Sequence, residues 1–195
     1  MESLVERARG IAAVCLAEAL PRRWTHVQAV GAKAERVAAS FSEPDGAVLA
    51  AAAWLHDVGY APALAATGFH PLDGARWLRS EGFDDRVAAL VAHHSCALVE
   101  ADERGLGDVL GAEFAREQSP VADALWYCDM TTGPDGQDLD VVERLAEITS
   151  RYGPDHIVTR FIERAGGEIT AAVRRAEAHL TAAGRQPMYG ADRPS

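Results

Sequence analysis

Several histidine and aspartate side chains recur along the first two thirds of the sequence, each close to an apolar segment. In chain order they are His26, His56, Asp57, His70, His93, His94 and Asp129. Imidazole nitrogens and carboxylate oxygens are common ligands of divalent transition metals. Each residue alone has an ordinary explanation as a hydrogen-bonded core residue, but together they would need many separate buried partners. One metal centre satisfies them all, so the set predicts a metal site, and metal-bound water is a nucleophile for hydrolysis.

The adjacent residues His56 and Asp57 close a short apolar segment that runs from residue 50 to residue 55. We expect this segment to be a buried helix, in which a carboxylate needs a partner or a metal ion. Taken alone, the two residues are explained as well by a hydrogen-bonded pair without a metal. Gly59 follows, and we expect it to end the helix in the left-handed conformation.

The other histidines hold comparable positions on separate predicted helices. His26 shares the apolar face of its helix, where a lone histidine is usually a core residue. His70 precedes Pro71 at a junction between a loop and a helix. The pair His93-His94 closes a further apolar helix, and helical periodicity places His94 nearer the middle of the apolar face.

Helical spacing of apolar residues extends along nearly the whole chain, and no stretch alternates convincingly between apolar and polar residues. The sequence therefore predicts an all-α helical bundle, with one domain over residues 1–183 and a flexible tail over residues 184–195. The predicted helices are residues 2–20, 25–41, 44–57, 72–80, 84–95, 119–130, 140–152 and 155–183, with short helical pieces over 102–114. The last helix is expected to be weakened at Gly166-Gly167.

Composition limits the possible partners of the 195-residue chain. A net charge of −10 argues against general nucleic-acid binding, although a bound metal would still allow a small phosphorylated ligand. No apolar run approaches the ~20 residues of a membrane span, and no signal peptide is evident. The three scattered cysteines contain no C-x-x-C pattern and indicate a reducing, cytoplasmic location. The sequence leaves the oligomeric state open.

The order of His26, His56-Asp57 and Asp129 resembles the HD-domain superfamily of metal-dependent phosphohydrolases. Arg23, three residues before His26, is similar to the first motif of that superfamily. The resemblance covers about residues 20 to 135 and implies an HD-type helical fold.

A second pattern resembles the HD subset that has a dinuclear centre. It consists of Phe69-His70-Pro71, Gly74-Ala75, Leu78 and the pair His93-His94. This subset includes the HD-GYP cyclic-dinucleotide phosphodiesterases and the bacterial symmetrical dinucleoside-tetraphosphate hydrolases. The chain continues with Ser95-Cys96 rather than with the glycine-rich segment of HD-GYP proteins, which disfavours cyclic-di-GMP hydrolysis.

The resemblance implies a role for each of these residues. The implied metal ligands are His26, His56, Asp57, His70, His93 and Asp129, with Asp57 as a bridge and with Asp57 and His70 as catalytic residues. The position of the pair after Leu90 resembles the family ligand at His93, so we choose His93 and keep His94 as a ligand or phosphate contact. Arg23, Tyr60 and His94 are the implied substrate contacts. The implied cofactor is one or two divalent transition-metal ions: Fe, Mn, Co or Zn, with Fe or Mn favoured.

The expected function is hydrolysis of a phosphate ester, such as a nucleotide or a related small phosphorylated metabolite, by metal-activated water. Tyr60 stands where many phosphohydrolase relatives carry a lysine, which leaves a dinuclear-iron oxygenase as an alternative. A non-catalytic metal-binding sensor is the third possibility. Arg144 and Arg151, on one C-terminal helix, could reach an anionic ligand, although salt-bridged arginines are commoner.

Overall fold

The computed structural model describes residues 2–186, and these form ten α-helices with no β-strand among them. The predicted all-α fold is therefore confirmed. The helices are α1 (Leu4–Leu16), α2 (Pro21–Ala38), α3 (Asp45–Leu55), α4 (His70–Ser80), α5 (Asp85–Ala92), α6 (Ala97–Glu103), α7 (Gly107–Glu113), α8 (Pro120–Met130), α9 (Val141–Ser150) and α10 (Ile157–Ala182). Two short 3-10 turns, Val58–Tyr60 and His94–Cys96, follow α3 and α5.

Helix α3 is the centre of the bundle. Every residue from 48 to 55 is buried, and the helix packs against α1, α2, α5 and α8. Four consecutive alanines, residues 50–53, allow the neighbouring helix axes to approach closely. Gly31 of α2 serves the same purpose, because a Cβ atom there would lie 2.4 Å from the ring of Trp54. The residues at the C-terminal end of α3 are therefore held at the middle of the molecule.

The first helix ends earlier than predicted, and the last helix lacks its predicted weakness. The sequence predicts that Pro21 ends the first helix, whereas α1 ends at Leu16 and Pro21 begins α2, where its missing N–H is not needed. The predicted weakness at Gly166-Gly167 does not interrupt α10, because the buried face of this helix packs against α8 and α9. The predicted flexible tail, residues 184–195, lies mostly outside the described residues.

Gly59 has a different role from the one predicted. It does not adopt a left-handed conformation, and it lies within the Val58–Tyr60 turn, after α3 has ended at Leu55. A Cβ atom on Gly59 would lie 2.0 Å from the carbonyl oxygen of His70. A glycine is therefore required because the backbone of this turn rests directly on the start of α4, which brings Asp57 close to His70.

Two further findings concern membrane-spanning helices and the cysteines. Within residues 2–186, no helix has the length and apolar character needed to cross a membrane. Cys15, Cys96 and Cys128 are free thiols, and the last two are buried.

We predict that Gly59→Ala separates the Val58–Tyr60 turn from α4. The added methyl group has no room, so the free energy of unfolding should fall by about 1–3 kcal/mol. The metal content should fall as well, because Asp57 and His70 move apart. Denaturant unfolding and metal analysis of the purified variant measure the two effects.

Gly167→Ala is the matched control, because a Cβ atom at this position of α10 meets no atom within 4 Å. Replacing a helical glycine by alanine should raise stability by roughly 0.5–1 kcal/mol and leave the metal content unchanged. Wild-type metal content and stability in Gly59→Ala would show that the close approach is not needed for the site.

Candidate metal centre

The first group of metal-competent side chains is His26, His56 and Asp129. His26 lies on the buried face of α2, His56 follows the last residue of α3, and Asp129 is near the end of α8. The Nε2 atom of His26 lies 3.1 Å from Oδ1 of Asp129, and the Nε2 atom of His56 lies 3.8 Å from the same oxygen. All three are at least nine-tenths buried. Three helices thus direct their polar atoms to one point.

The second group is Asp57, His70 and His94. Oδ1 of Asp57 lies 3.4 Å from Nε2 of His70, which in turn lies 3.2 Å from Nε2 of His94. The other oxygen, Oδ2 of Asp57, lies 3.4 Å from Nε2 of His56 in the first group. The carboxylate of Asp57 therefore faces both groups, with one oxygen towards each.

Backbone carbonyls orient three of the imidazole rings. Nδ1 lies 3.0 Å from the Gly133 carbonyl in His26, 2.7 Å from the Ala53 carbonyl in His56 and 2.6 Å from the Val91 carbonyl in His94. Because a carbonyl only accepts, Nδ1 carries the hydrogen in each ring, and Nε2 presents a lone pair to the centre. Such outer hydrogen bonds are typical of metal-ligating histidines.

These donor atoms fit divalent metal ions. Nε2 of His56 is buried without a hydrogen-bond partner, which is costly for a lone pair unless something else binds it. Ligands held about 2.1 Å from one ion lie about 3.0–3.5 Å from one another, close to most separations in both groups. A set of nitrogens and carboxylate oxygens suits Fe, Mn, Co or Zn better than Ca.

Of the paired histidines, His94 lies in the second group of metal-competent side chains and His93 does not. Nε2 of His93 instead donates to the Phe114 carbonyl at a distance of 2.8 Å. The backbone carbonyl of His93 accepts from the indole of Trp126. His93 therefore packs between α5 and α8, and helical periodicity correctly placed His94 nearer the cluster.

Ser95 supports the site in a way that the sequence did not reveal. Ser95 and Cys96 have φ angles of 47° and 63°, a left-handed conformation that costs non-glycine residues about 1–2 kcal/mol each. This backbone turn lets the hydroxyl of Ser95 donate to Oδ2 of Asp129, while Oδ1 faces His26. The only signal in the sequence was the position of Ser95, where HD-GYP proteins continue with glycines.

Lys33 is a second supporting residue that sequence reasoning missed. Lys33 is 1% exposed, and its Nζ donates a hydrogen bond of 2.8 Å to the Thr131 carbonyl. The same Nζ forms an ion pair with Oδ1 of Asp138 at 2.8 Å. Burial lowers the pKa of Lys33, and the bond to Asp138 opposes the shift. Lys33 thereby fastens α2 to the loop that follows Asp129. It lies two helical turns after His26, a spacing that placed both on one face.

The charges around the site favour ionised carboxylates and neutral imidazoles. Burial raises the pKa of Asp57, but the guanidinium of Arg23, 2.5 Å away, and the surrounding imidazoles together outweigh it and hold the pKa well below its usual value. The pKa of Asp129 is also lowered, because the neighbouring imidazoles of His26, His56 and His94 together outweigh the effect of its burial. Burial lowers the pKa of His70 and of His94. These shifts favour, in Asp57, Asp129, His70 and His94, the protonation states that metal binding requires.

Tyr60 packs between two predicted site residues. Its ring stacks on the ring of His70 with centroids 3.9 Å apart, and Cζ of Arg23 lies 3.7 Å from its centroid. Tyr60 is 40% exposed, so it forms part of the wall between the site and solvent. Its ring therefore positions both His70 and the guanidinium group that pairs with Asp57.

A cavity of about 670 Å³ opens from the two groups to the surface. Its lining includes three carboxylates against five guanidinium groups, although the chain as a whole carries a net charge of −10. The arginines are Arg22, Arg23, Arg104, Arg144 and Arg151. A cleft lined with an excess of one charge attracts ligands of the opposite charge, so this cavity suits an anionic ligand.

A helical bundle with a buried centre of histidines and aspartates defines a metal-binding helical domain. The family model described as HD domain matches residues 23–146, which include both groups of side chains. The chain belongs to the HD-domain family, whose members are mostly metal-dependent phosphohydrolases. Comparison with curated proteins and with solved structures gave no significant match.

We predict that His94→Ala lowers the metal content of the purified protein by about half, because one of two ions loses a ligand. His93→Ala is the matched control. It should lose about 1–2 kcal/mol of stability, because the Phe114 carbonyl is left without its donor, and keep its metal. Elemental analysis of protein purified without chelators tests both variants. Loss of metal from His93→Ala alone would return the ligand to the position first chosen.

Proposed function

We propose that the protein is a metal-dependent phosphohydrolase that acts on a phosphate ester, a nucleotide or a related small phosphorylated metabolite. The observation that carries this proposal is the position of Asp57. Its two carboxylate oxygens face two separate groups of ligand-type side chains at the base of an arginine-lined cavity. Such an arrangement is suited to two ions that share one bridging carboxylate.

Each group of side chains would hold one ion. His26, His56 and Asp129 would bind the first, and Asp57, His70 and His94 would bind the second, with Asp57 shared. Metals in such sites activate water and polarise phosphoryl oxygens. Asp57 and His70 are the residues that we assign to the catalytic centre, and His94 moves from substrate contact to ligand.

Arg23 and Tyr60 are the proposed contacts on the substrate side. Arg23 orients Asp57 through its hydrogen bond, and its side chain remains 32% exposed in the cavity. A guanidinium group can bind a phosphoryl oxygen with charge-assisted hydrogen bonds. Tyr60 keeps Arg23 in place by stacking, so the ring holds a cation in the cavity although Tyr60 itself carries no charge.

The cysteines do not offer an alternative nucleophile. Burial raises the pKa of Cys96 to about 11 and the pKa of Cys128 to about 12. Both are therefore thiols rather than thiolates at neutral pH, and the thiolate is the reactive form. This supports a mechanism in which water attacks the phosphate directly.

A dinuclear-iron oxygenase is the second candidate, and the absence of a lysine among the lining residues favours it. The one lysine in the sequence, Lys33, is buried under the loop after α8 and does not line the cavity. Oxygen consumption by the aerobically iron-loaded protein would identify this reaction. A purely structural metal site is less consistent with a cavity of about 670 Å³ that reaches the ligands.

We predict that Asp57→Ala loses metal and lowers phosphate release from a panel of nucleotides by about 1,000-fold or more. Removing the carboxylate takes a ligand from both groups and leaves Arg23 without its partner. His179→Ala is the control, because His179 packs on Phe41 outside the cavity. Equal metal content in wild type and Asp57→Ala would overturn the proposed bridge.

Tyr60 gives a second prediction for the same assay. Tyr60→Phe keeps the ring between Arg23 and His70 and should change kcat/KM by about 2-fold or less. From the sequence alone, Tyr60→Lys is expected to be tolerated. The ring contacts of Tyr60 favour the opposite outcome, because a lysine would lose both contacts and lie beside Arg23, so kcat/KM should fall by about 10-fold. A collapse of activity in Tyr60→Phe would instead assign a direct role to the hydroxyl.

A further inference from the structure

The cavity extends beyond the metal centre to the C-terminal helices. On that side it is lined by Arg144 of α9, by Arg151 just after α9, and by Phe161 of α10. The match to the HD domain ends at residue 146, so much of this wall lies outside the matched range. None of its side chains belongs to the two groups of metal-competent residues.

Arg144 combines burial with an unused hydrogen-bond donor. The residue is 7% exposed, and its Nε has no hydrogen-bond partner. A buried donor on a cation is costly to leave unpaired, and more so than a neutral one. Since Arg144 lines the cavity, a ligand in the cavity can lower this cost by bringing negative charge to the guanidinium group.

Other arginines of this chain show what a purely structural pair looks like. Arg86 donates from both Nε and Nη2 to the carboxylate of Glu117, and each hydrogen bond is 2.8 Å long. Arg175 also donates two hydrogen bonds to one carboxylate, from Nε and Nη2 to Asp123, at 2.8 and 2.7 Å. Arg144 is more deeply buried than either, yet it reaches Glu147 through Nη1 alone. The geometry of Arg144 is therefore not that of a completed salt bridge.

Arg144 and Arg151 also share one carboxylate. Nη1 of Arg144 donates to Oε2 of Glu147, and Nε of Arg151 lies 2.9 Å from Oε1 of the same residue. Two guanidinium groups against one carboxylate leave an excess of positive charge. Apolar side chains of Ile148 and Phe161 line the same side of the cavity, and they strengthen a charge-assisted bond by excluding water.

We propose that Arg144 and Arg151 form a second anion-binding subsite, on the α9 side of the cavity. The preferred substrate is then an organic phosphate ester with a further anionic group, a phosphate or a carboxylate, on the part that is not bound at the metal centre. The assignment of the reacting end rests on the proposed function. Glu147 holds the two guanidinium groups side by side, so that both face one anion.

Binding of non-hydrolysable ligands tests the subsite. The full chain, loaded with Mn²⁺, is titrated calorimetrically with alkane-1,ω-bisphosphonates of two to six carbons and with alkyl monophosphonates of the same lengths. At the length that spans both sites, the bisphosphonate should bind about 10- to 100-fold more tightly than the monophosphonate. ω-Carboxyalkylphosphonates show whether the second anion is a phosphate or a carboxylate.

Substitution of single arginines tests which residues cause the preference for bisphosphonates. Arg144→Gln and Arg151→Gln should each remove most of this preference and leave monophosphonate binding unchanged. Arg151 has a side chain that is 34% exposed, so Arg151→Gln carries the test if Arg144→Gln fails to fold. Arg175→Gln, which removes an arginine outside the cavity, should bind both ligand classes as the wild type does.

Equal binding of the two ligand classes by the wild type at every length would overturn the subsite. So would a preference that persists in Arg151→Gln and Arg144→Gln. The outcome is independent of catalysis, because phosphonates are not hydrolysed. A preference that depends on these arginines, together with no phosphate release from any ester, would support the subsite and overturn the proposed hydrolase function.

Discussion

The buried carboxylate of Asp57 is the interaction on which the rest of the site depends. It is 3% exposed, and its two oxygens face His70 on one side and His56 and Arg23 on the other. A buried carboxylate requires positive charge or donors close by. The starts of α2 and α4 and the end of α3 must therefore meet at one point, and the glycine at position 59 removes the obstacle to that approach.

Helix ends explain the positions of two of the metal-competent histidines. The last four carbonyls of an α-helix have no partner within the helix. His56 and His94 each follow a helix and direct Nδ1 to such a carbonyl, that of Ala53 in α3 and that of Val91 in α5. The same helix ends carry partial negative charge, which favours a nearby cation. A histidine placed just after a buried helix is thus oriented and electrostatically supported by that helix.

The sequence predicted the helices and most of the clustered side chains because both depend on local patterns. Apolar periodicity sets the helices, and buried polar residues at helix ends stand out from their surroundings. The sequence did not show that His94 rather than His93 joins the cluster, because α5 ends at Ala92 and the chain then turns through Ser95 and Cys96. Left-handed backbone at two non-glycine residues leaves no signature in residue types, since tertiary contacts impose it.

The two ends of the cavity are built differently, and this division has a physical basis. The metal-competent side chains come from helices that pack directly on α3, with α4 joined through the Val58–Tyr60 turn, so the core fixes them rigidly. Arg144 and Arg151 lie on or just after α9, which packs on α8 and α10 at the edge of the bundle. Changes in α9 can therefore alter which anion the cavity accepts without moving the ligands. Helix α8 carries Asp129 and also packs against α9, which forms this outer wall. It therefore connects the metal-competent side chains to the arginines that we propose to bind the second anion.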